Sequence, residues 1–310
     1  MNFSKFFYYV ISGLTTLIPD FLHRYIGKYH LTSLSQKIND NSIRKRVNYY
    51  NRREERFSTY EATATRVNDF KKTGGTTYYF DLFKVVKCFP KHYKFYYLNG
   101  DIRYIPEQPT FLKSRPISNE NHNAVLLKLN EIRHFNFLKD KMSFSNKKNM
   151  AVWRGLGEKP HRKIVIEQYY NHPMCNIGRT KPIEGSPLEK PFMSVEEQLN
   201  YKFILAIEGN DVASNLKWVM SSNSLAVMSK PKYETWFMEG LLQPGVHYVE
   251  VKDDYSDLIE KMEYYIAHPE EAQKIIDNAH RWVDQFRDKK RERLISLLVA
   301  KKYFELCQPE

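Results

Sequence analysis

The chain contains a glycine-containing turn of a kind that can bind phosphate. In "YKFILAIEGNDVASNLKWVMSSNSLAVMSK", residues 201–230, an apolar run meets residues 208–211, and small and basic residues at helical spacing follow. A glycine at the end of a strand lets the backbone approach a ligand closely, and the N–H groups of a following helix favour an anion. Taken alone, this pattern also fits an ordinary turn between a strand and a helix.

A second turn of the same kind strengthens the phosphate interpretation. The stretch "WRGLGEKPHR" follows the apolar run "MAV" and carries Arg154 and Arg162, whose guanidinium groups suit phosphate oxygens. Two such turns at one edge of a sheet predict a diphosphate ligand. The residues expected to bind it are Arg154, Gly155, Arg162, Gly209, Asn210, Ser214, Asn215 and Lys217.

The elements around these turns predict an α/β domain. After residue 150, apolar strand-like runs alternate with helical patterns, and Pro269 begins a long helical stretch. This alternation is typical of parallel βαβ units, in which ligands bind beyond the carboxyl ends of the strands. The polar, basic stretch "KMSFSNKKN", residues 141–149, marks the expected boundary between one domain of residues 1–145 and another of residues 146–310.

The first half of the chain predicts shorter elements. "TTYYFDLFKVV", residues 76–86, is rich in aromatic and β-branched residues and predicts β-structure, and residues 95–98 predict a strand that ends at Asn99-Gly100-Asp101. Two X-Pro pairs predict irregular chain at residues 105–109 and onward to residue 124. "AVLLKLNEI", residues 124–132, predicts a helix.

The N-terminal 26 residues predict an amphipathic helix that is too short and too interrupted to span a bilayer. Its apolar side chains fall at steps of three and four. They either pack on the protein core or lie in a membrane interface. The basic segment of residues 44–56 fits a solvated helix face or contact with anionic headgroups.

Charge and cysteine content narrow the function classes. The 310 residues carry a formal net charge of +12 with a pI near 9.3, which predicts an anionic partner: nucleic acid, anionic lipid or a phosphorylated small molecule. The three cysteines are far apart in the sequence and show no CxxC spacing, which argues against a disulfide framework and a zinc site. A basic nucleic-acid-binding or membrane-binding protein without catalysis is the alternative class, although no recognition motif for nucleic acid is present.

Several motifs in one order resemble glycosyltransferase family 90, which includes bacterial lipopolysaccharide-modifying enzymes and Rumi-type protein O-glucosyltransferases. The motifs are "LNGDIRYIP", "TFLKSRPI", "LLKLNEIRHFNF", "VWRGLGEKPHR", "YKFILAIEGNDVASNLKWVM" and "LLQPGVHYVEV". The pieces "KSRPI", "RHFNF" and "WRG" most resemble the lipopolysaccharide branch.

The resemblance implies a GT-B fold, with two Rossmann-like domains facing a central cleft. It also implies a UDP-sugar donor, inversion at the anomeric carbon, no cofactor and no bound metal. By position in the motifs, Asp101 is expected to be the catalytic base and Arg154, Gly155 and Arg162 to bind the donor phosphates. Asn215 stands where Rumi-type members carry arginine. GT-B proteins often hold the donor sugar at the segment after the "LAVMSKP" strand. In this chain, Glu234 or Glu239 is therefore expected to accept a hydrogen bond from a hydroxyl of that sugar.

The sequence therefore predicts an inverting enzyme that moves a hexose, glucose or galactose, from a UDP-sugar to a core sugar of lipopolysaccharide or lipooligosaccharide. Capsule polysaccharide or protein serine is the alternative acceptor. The expected location is the cytoplasm, at the anionic inner leaflet of the inner membrane, without a nucleic-acid partner. The acidic residues 253–257 are interpreted as helix caps rather than metal ligands.

Overall fold

In the computed structural model, residues 3–33, 40–60 and 62–308 are described. The helices among them are α1 (Phe3–Thr16), α2 (Asp20–Ser33), α3 (Asn41–Tyr50), α4 (Thr76–Val86), α5 (Glu131–His134), α6 (Pro160–Tyr169), α7 (Val195–Gln198), α8 (Leu216–Val219), α9 (Leu258–Ala267), α10 (Pro269–Asp284) and α11 (Lys289–Leu306). The strands are β1 (Phe57–Ser58), β2 (Thr65–Arg66), β3 (Lys94–Tyr97), β4 (Thr110–Leu112), β5 (Ser114–Pro116), β6 (Ala124–Leu126), β7 (Lys148–Gly155), β8 (Cys175–Arg179), β9 (Tyr201–Leu205), β10 (Leu225–Met228), β11 (Tyr233–Thr235), β12 (Val249–Glu250) and β13 (Cys307–Gln308).

The chain forms two compact units that are discontinuous in sequence. The first unit comprises Met1–Arg133, Tyr233–Met238 and Arg287–Glu310, and the second comprises His134–Lys232 and Glu239–Phe286. The predicted boundary between residues 145 and 146 remains a prediction. The mixed α/β character expected from the sequence is confirmed in both units.

The second unit is built on a parallel five-stranded sheet in the order β12-β10-β9-β7-β8. Its central strand β9 is buried along its whole length, as expected for a parallel sheet covered on both faces. Helices α6, α9 and α10 contribute apolar side chains to the same core, among them Ile166, Met262 and Ile275. The strands and helices predicted after residue 150 are therefore confirmed in type and order.

Two predicted helices in the second half differ from the structure. The helix after residue 214 is one turn, Leu216–Val219. The long C-terminal helix is divided into α10 and α11, and Asp288 caps α11 by accepting hydrogen bonds from the N–H groups of Lys290 and Arg291. A capping aspartate starts a new helix because it satisfies backbone donors that have no partner inside the helix.

The first unit contains a four-stranded sheet in the order β2-β3-β4-β6. Strands β3, β4 and β6 are parallel, and β2 is antiparallel to β3. The predicted strand at residues 95–98 is confirmed as β3. Helix α11 belongs to this unit, where the fully buried Tyr303 donates a hydrogen bond to the carbonyl of Pro109 and accepts one from the N–H of Tyr96.

Three predictions in the first half are wrong. Residues 76–86 form the helix α4 rather than β-structure, because Leu82 and Val86, four residues apart, share its buried face. Residues 124–132 contain the strand β6 and only the start of a single helical turn, α5; a short apolar run fits a buried strand as well as a helix. Regular strands, β4 and β5, also follow Pro109, which lies outside β4 and so costs it no ladder hydrogen bond.

The N-terminal segment forms α1 and α2, and most of its large apolar side chains are exposed rather than packed on the core. Phe7, Ile11 and Leu14 are 46%, 58% and 60% exposed. The polar side of α1 faces the protein instead: Ser12 is buried, and the Tyr8 hydroxyl donates to Asp81 Oδ1 on α4 at 2.6 Å. Within the described part of the chain, no helix is long and apolar enough to cross a membrane.

Asp81 gives the first unit a testable pH dependence. Burial raises the pKa of its carboxyl from 3.8 to about 6. Because the folded pKa exceeds the unfolded one, the stability that the protonated form confers is complete below pH 3.8 and is lost as the pH rises through 6. The difference between the two pKa values corresponds to a contribution of at most about 3 kcal/mol to the free energy of unfolding.

We therefore expect the free energy of unfolding of the wild type to fall, relative to that of Asp81→Asn, between pH 4 and pH 7. Urea titrations of both proteins across this range measure the difference. Parallel pH profiles would contradict the assignment, since asparagine cannot ionise.

Candidate active site

The two phosphate-type turns lie at the same edge of the sheet in the second unit. Strands β7 and β9 are parallel neighbours, with Val152 opposite Ile204. The chain therefore leaves both strands at one edge, where ligands of parallel sheets bind. Gly155 ends β7, and the loop of residues 206–215 follows β9.

Arg162 joins these two turns. Its Nε donates to the carbonyl of Glu208 at 2.9 Å and its Nη2 to that of Ile207 at 3.1 Å, while Nη1 donates to the carbonyl of Leu156 at 3.0 Å. Burial lowers the pKa of the guanidinium. A single side chain in the first turn of α6 thus fixes the backbone of both loops.

Gly209 allows this arrangement because it has no side chain. A Cβ at this position would lie 3.2 Å from Arg162 Nη2. The imidazole Nε2 of His161 lies 2.8 Å from the carbonyl oxygen of Glu208, and adds a second link between α6 and the β9 turn. The structure therefore brings Arg162 and Gly209 together, and their binding of a diphosphate remains a prediction.

Arg154 has a different environment from Arg162. Its Nη1 and Nη2 donate to the backbone carbonyl and the side-chain oxygen of Asn176, both at 2.7 Å, and its Nε donates to the carbonyl of Pro191 at 2.9 Å. The side chain is half-buried, and this burial lowers its pKa. Arg154 is thus held against β8 and the loop that precedes residue 194.

Lys217, in the helical turn α8 that follows the β9 loop, forms a buried ion pair. Its Nζ is 2.5 Å from Glu239 Oε1, and both side chains are at most 1% exposed. The single turn of α8 that carries Lys217 is too short to act as a helix dipole, whose strength comes from aligned peptide units. Of the other predicted ligands in this loop, Asn210 and Ser214 are exposed, and Asn215 donates from Nδ2 to the carbonyl of Leu205 at 2.8 Å.

Glu234 is fully buried in the first unit. Strand β11, which carries it, pairs antiparallel with β5, and Arg115 Nε donates to Glu234 Oε1 at 2.7 Å. The Tyr49 hydroxyl donates to the other carboxylate oxygen. Glu234 and Glu239, the two predicted sugar ligands, therefore belong to different units and both neutralise buried cations. Their contact with a donor sugar remains a prediction.

Asp101, the predicted base, lies at the carboxyl end of the parallel strands of the first unit. It follows β3 by four residues, and Gly100 before it adopts a left-handed conformation with φ of 104°. Lys113, just after the neighbouring strand β4, donates from Nζ to Asp101 Oδ1 at 2.6 Å. The side chain of Lys113 is 3% exposed and that of Asp101 is 29% exposed. A buried ammonium therefore orients a carboxylate that solvent can reach.

Lys113 was not predicted as a site residue, although it opens the "KSRPI" motif. Its role depends on β3 and β4 being parallel neighbours, with Tyr97 opposite Phe111. The sequence analysis expected irregular chain where β4 occurs. Among residues 3–33, 40–60 and 62–308, no three His, Cys, Asp or Glu side chains are grouped as metal ligands.

Comparison with known proteins identifies the class of this protein, a glycosyltransferase. The model of the family "Glycosyl transferase family 90" matches residues 124–296. A curated relative, "O-glucosyltransferase LpsA" of Dichelobacter nodosus, is 46% identical over 270 residues, which cover 87% of this chain and 85% of the relative. The chain belongs to glycosyl transferase family 90.

More distant relatives share only part of the chain. "Protein O-glucosyltransferase 3" of Homo sapiens is 29% identical over 140 residues, which cover 43% of this chain and 27% of the human protein. "Protein O-glucosyltransferase 2" of Danio rerio is 30% identical over a segment of the same length, 28% of that protein. The resemblance to this family inferred from the motifs is confirmed.

The packing around Gly157 leads to a stability prediction for the turn that follows β7. A Cβ there would lie 2.7 Å from Ile166 Cδ1 and 3.0 Å from Arg179 Cβ. We expect Gly157→Ala to lower the free energy of unfolding by about 1–3 kcal/mol, the usual cost of overpacking. Gly74→Ala is the control, because a Cβ at Gly74 meets nothing within 4 Å. Equal denaturant midpoints for the two variants would contradict the close packing.

Proposed function

We propose that this protein is an inverting glucosyltransferase that moves glucose from UDP-glucose to a hydroxyl of a core sugar in lipopolysaccharide or lipooligosaccharide. The observation that carries the proposal is the pair of turns joined by Arg162, at the edge of the second unit's sheet where a diphosphate would bind. The relative named as an O-glucosyltransferase favours glucose over galactose as the transferred sugar. The "KSRPI", "RHFNF" and "WRG" motifs favour a lipopolysaccharide acceptor.

In this proposal the second unit binds the donor, as in a GT-B enzyme. Arg154 and Arg162 supply cationic donors to the diphosphate, and Gly155 and Gly209 let its oxygens approach the backbone. Asn210 and Ser214, which are exposed, add polar contacts. Lys217 acts through its ion pair with Glu239, which holds the helical turn α8 that follows the loop.

The first unit supplies the base. Asp101 removes the proton of the acceptor hydroxyl while that oxygen attacks the anomeric carbon, and the bond from this carbon to the diphosphate oxygen breaks with inversion. The leaving diphosphate gains negative charge, which arginine and backbone N–H donors stabilise more strongly in the transition state than in the ground state. Lys113 keeps the Asp101 carboxylate in position for the proton transfer.

The proposed site of action is the cytoplasmic face of the inner membrane, where a lipid-linked acceptor is presented. Capsule polysaccharide and protein serine are the alternative acceptors, and either would leave the proposed donor and donor site unchanged. A matrix of UDP-sugars against these three acceptors tests the proposal directly. We expect transfer from UDP-glucose to the lipopolysaccharide core. Steeply salt-dependent DNA binding without transfer or UDP-induced thermal stabilisation would instead support the nucleic-acid-binding alternative.

The proposed donor site predicts that UDP binds without a divalent metal, because arginine side chains and backbone N–H groups are its phosphate ligands. Calorimetric titration with UDP in EDTA should give the same affinity, within about twofold, as titration with Mn²⁺. Affinity that collapses in EDTA and returns with Mn²⁺ would show that the donor site needs a metal.

Substitutions of Asp101 and Arg154 should affect turnover and UDP affinity differently. Asp101→Asn keeps the size of the side chain but cannot take the proton, so turnover should fall about a hundredfold to ten-thousandfold while UDP affinity is retained. Arg154→Ala should weaken UDP binding as well as turnover, because its charge contacts the donor before and during the reaction.

UDP affinity and kcat of both variants are the measurements, and Asp277→Asn, an exposed change on α10, is the control. Near-normal turnover of Asp101→Asn would remove its role as base. A parallel loss of UDP binding and activity in that variant would make the residue structural.

A further inference from the structure

The helices α1 and α2 expose an apolar surface that is unusual for a folded protein. Among the described residues, twelve of the 21 large hydrophobic side chains that are exposed lie between Phe6 and Tyr29. We call this set the outer face: Phe6, Phe7, Tyr9, Val10, Ile11, Leu14, Leu17, Phe21, Leu22, Tyr25, Ile26 and Tyr29. Concentrated apolar exposure of this kind marks an interaction surface.

Helix α1 is attached to the rest of the first unit by its polar side. The Tyr8 hydroxyl donates to Asp81 Oδ1 at 2.6 Å and to the carbonyl of Thr77 at 3.3 Å, and Lys84 Nζ lies 4.8 Å from the centre of the Tyr8 ring. Ser12, one turn further along, is 1% exposed. Because these contacts use the polar side, the apolar side chains of Ile11 and Leu14 stay 58% and 60% exposed.

Helix α2 is attached by a small residue and a buried histidine. A Cβ on Gly27 would lie 2.5 Å from Cys88 Cβ, so the backbone of α2 approaches the chain just after α4 as closely as glycine allows. His23 is 4% exposed and its ring meets that of Phe83 edge-on at 5.4 Å. Tyr25 and Tyr29, four residues apart, consequently point outward and are 68% and 59% exposed.

Basic groups border the outer face. Lys91, whose side chain is 54% exposed, lies 3.6 Å from Asp20 at the start of α2, beside the buried Lys87. Further along α2, burial lowers the pKa of His30, and the positive charges of Arg293 and Lys290 on the neighbouring helix α11 lower it further. Lys5 and Lys28 are exposed on the two helices themselves.

The apolar side chains and the neighbouring basic groups together indicate what kind of partner binds the outer face. A second copy of the chain would bring the same cations together in a protein of net charge +12. An anionic bilayer instead offers hydrocarbon to the apolar side chains and headgroup charge to the lysines, each worth about 1 kcal/mol near a charged surface. The tyrosines suit the boundary between headgroups and acyl chains, since one end of each is apolar and the other polar.

We propose that α1 and α2 lie in the interface of an anionic membrane, with the outer face inserted and their polar sides on the protein. The inference deepens the proposed function, on which it rests for the identity of the membrane, because it names the surface that would hold the enzyme beside a lipid-linked acceptor. The binding itself requires neither donor nor acceptor.

Flotation of the full-length protein with vesicles tests the proposal. Wild type should float with phosphatidylglycerol-rich vesicles and bind phosphatidylcholine vesicles at least about tenfold more weakly, and high salt should weaken the anionic binding. The triple variant Ile11→Gln, Leu14→Gln, Leu17→Gln should lose at least about tenfold in partition, because it removes three inserted side chains. Glutamine is a good helix former, so the helices should persist.

Phe192→Gln is the matched control, because Phe192 is 79% exposed in the second unit while Leu17 is 78% exposed in the outer face. Its partition should stay within about twofold of wild type. The double variant Tyr25→Gln, Tyr29→Gln provides an independent test if the triple variant fails to fold. It should lower partition at least about threefold, because it removes two interfacial aromatic side chains.

Two outcomes would overturn the proposal: absence of wild-type binding to anionic vesicles, or equal binding by wild type and the folded outer-face variants. A dimer in solution that these variants convert to a monomer would also overturn it, since a second copy would then cover the face. Transfer to a soluble, deacylated core acceptor separates this question from the proposed function. The variants should keep that activity while transfer to vesicle-embedded acceptor falls, whereas wild type that binds vesicles but transfers no glucose would refute only the enzyme assignment.

Discussion

The parallel pairing of β7 with β9 is the constraint on which the candidate donor site depends. It places the ends of two strands side by side, so one arginine at the start of α6 can donate to carbonyls in both following loops. Arg162 is partly buried, and a guanidinium removed from water is costly to leave without acceptors. The two loops therefore support each other's geometry, and the glycines within them leave room for the close approach.

Secondary structure was predicted correctly where the apolar residues show a clear periodic spacing, and wrongly where they do not. In the second unit, apolar runs bounded by turns and separated by helical patterns indicated the strands, and the parallel sheet is confirmed. In the first unit, residues 76–86 are rich in β-forming side chains, yet the three- and four-residue spacing of Leu82, Phe83 and Val86 determines the fold. Tertiary burial outweighed intrinsic preference there, and residues 124–126 show the reverse ambiguity of a short apolar run.

For the candidate site, the sequence predicted which loops lie at the sheet edge, but it did not predict the burial and the ion pairs of their side chains. The two turns were expected at one edge of the sheet, and Gly209 and Arg162 lie together because their loops follow adjacent strand ends. The ion pairs of Lys113 with Asp101 and of Lys217 with Glu239 were not predictable, because each joins residues from different loops. Burial of Glu234 against Arg115 likewise depends on the pairing of β5 with β11, for which no local pattern exists.

That pairing also constrains the order in which the chain acquires its structure on the ribosome. Arg115 is fully buried, yet its carboxylate partner is made 119 residues later. The carboxylate partner of Arg46, Glu292 in α11, is synthesised later still, 246 residues after the arginine. Vectorial synthesis usually lets N-terminal domains fold first. Here the first unit cannot neutralise its buried arginines until almost the whole polypeptide has emerged, so an N-terminal nascent chain would depend on chaperones for longer than one with a self-contained first domain.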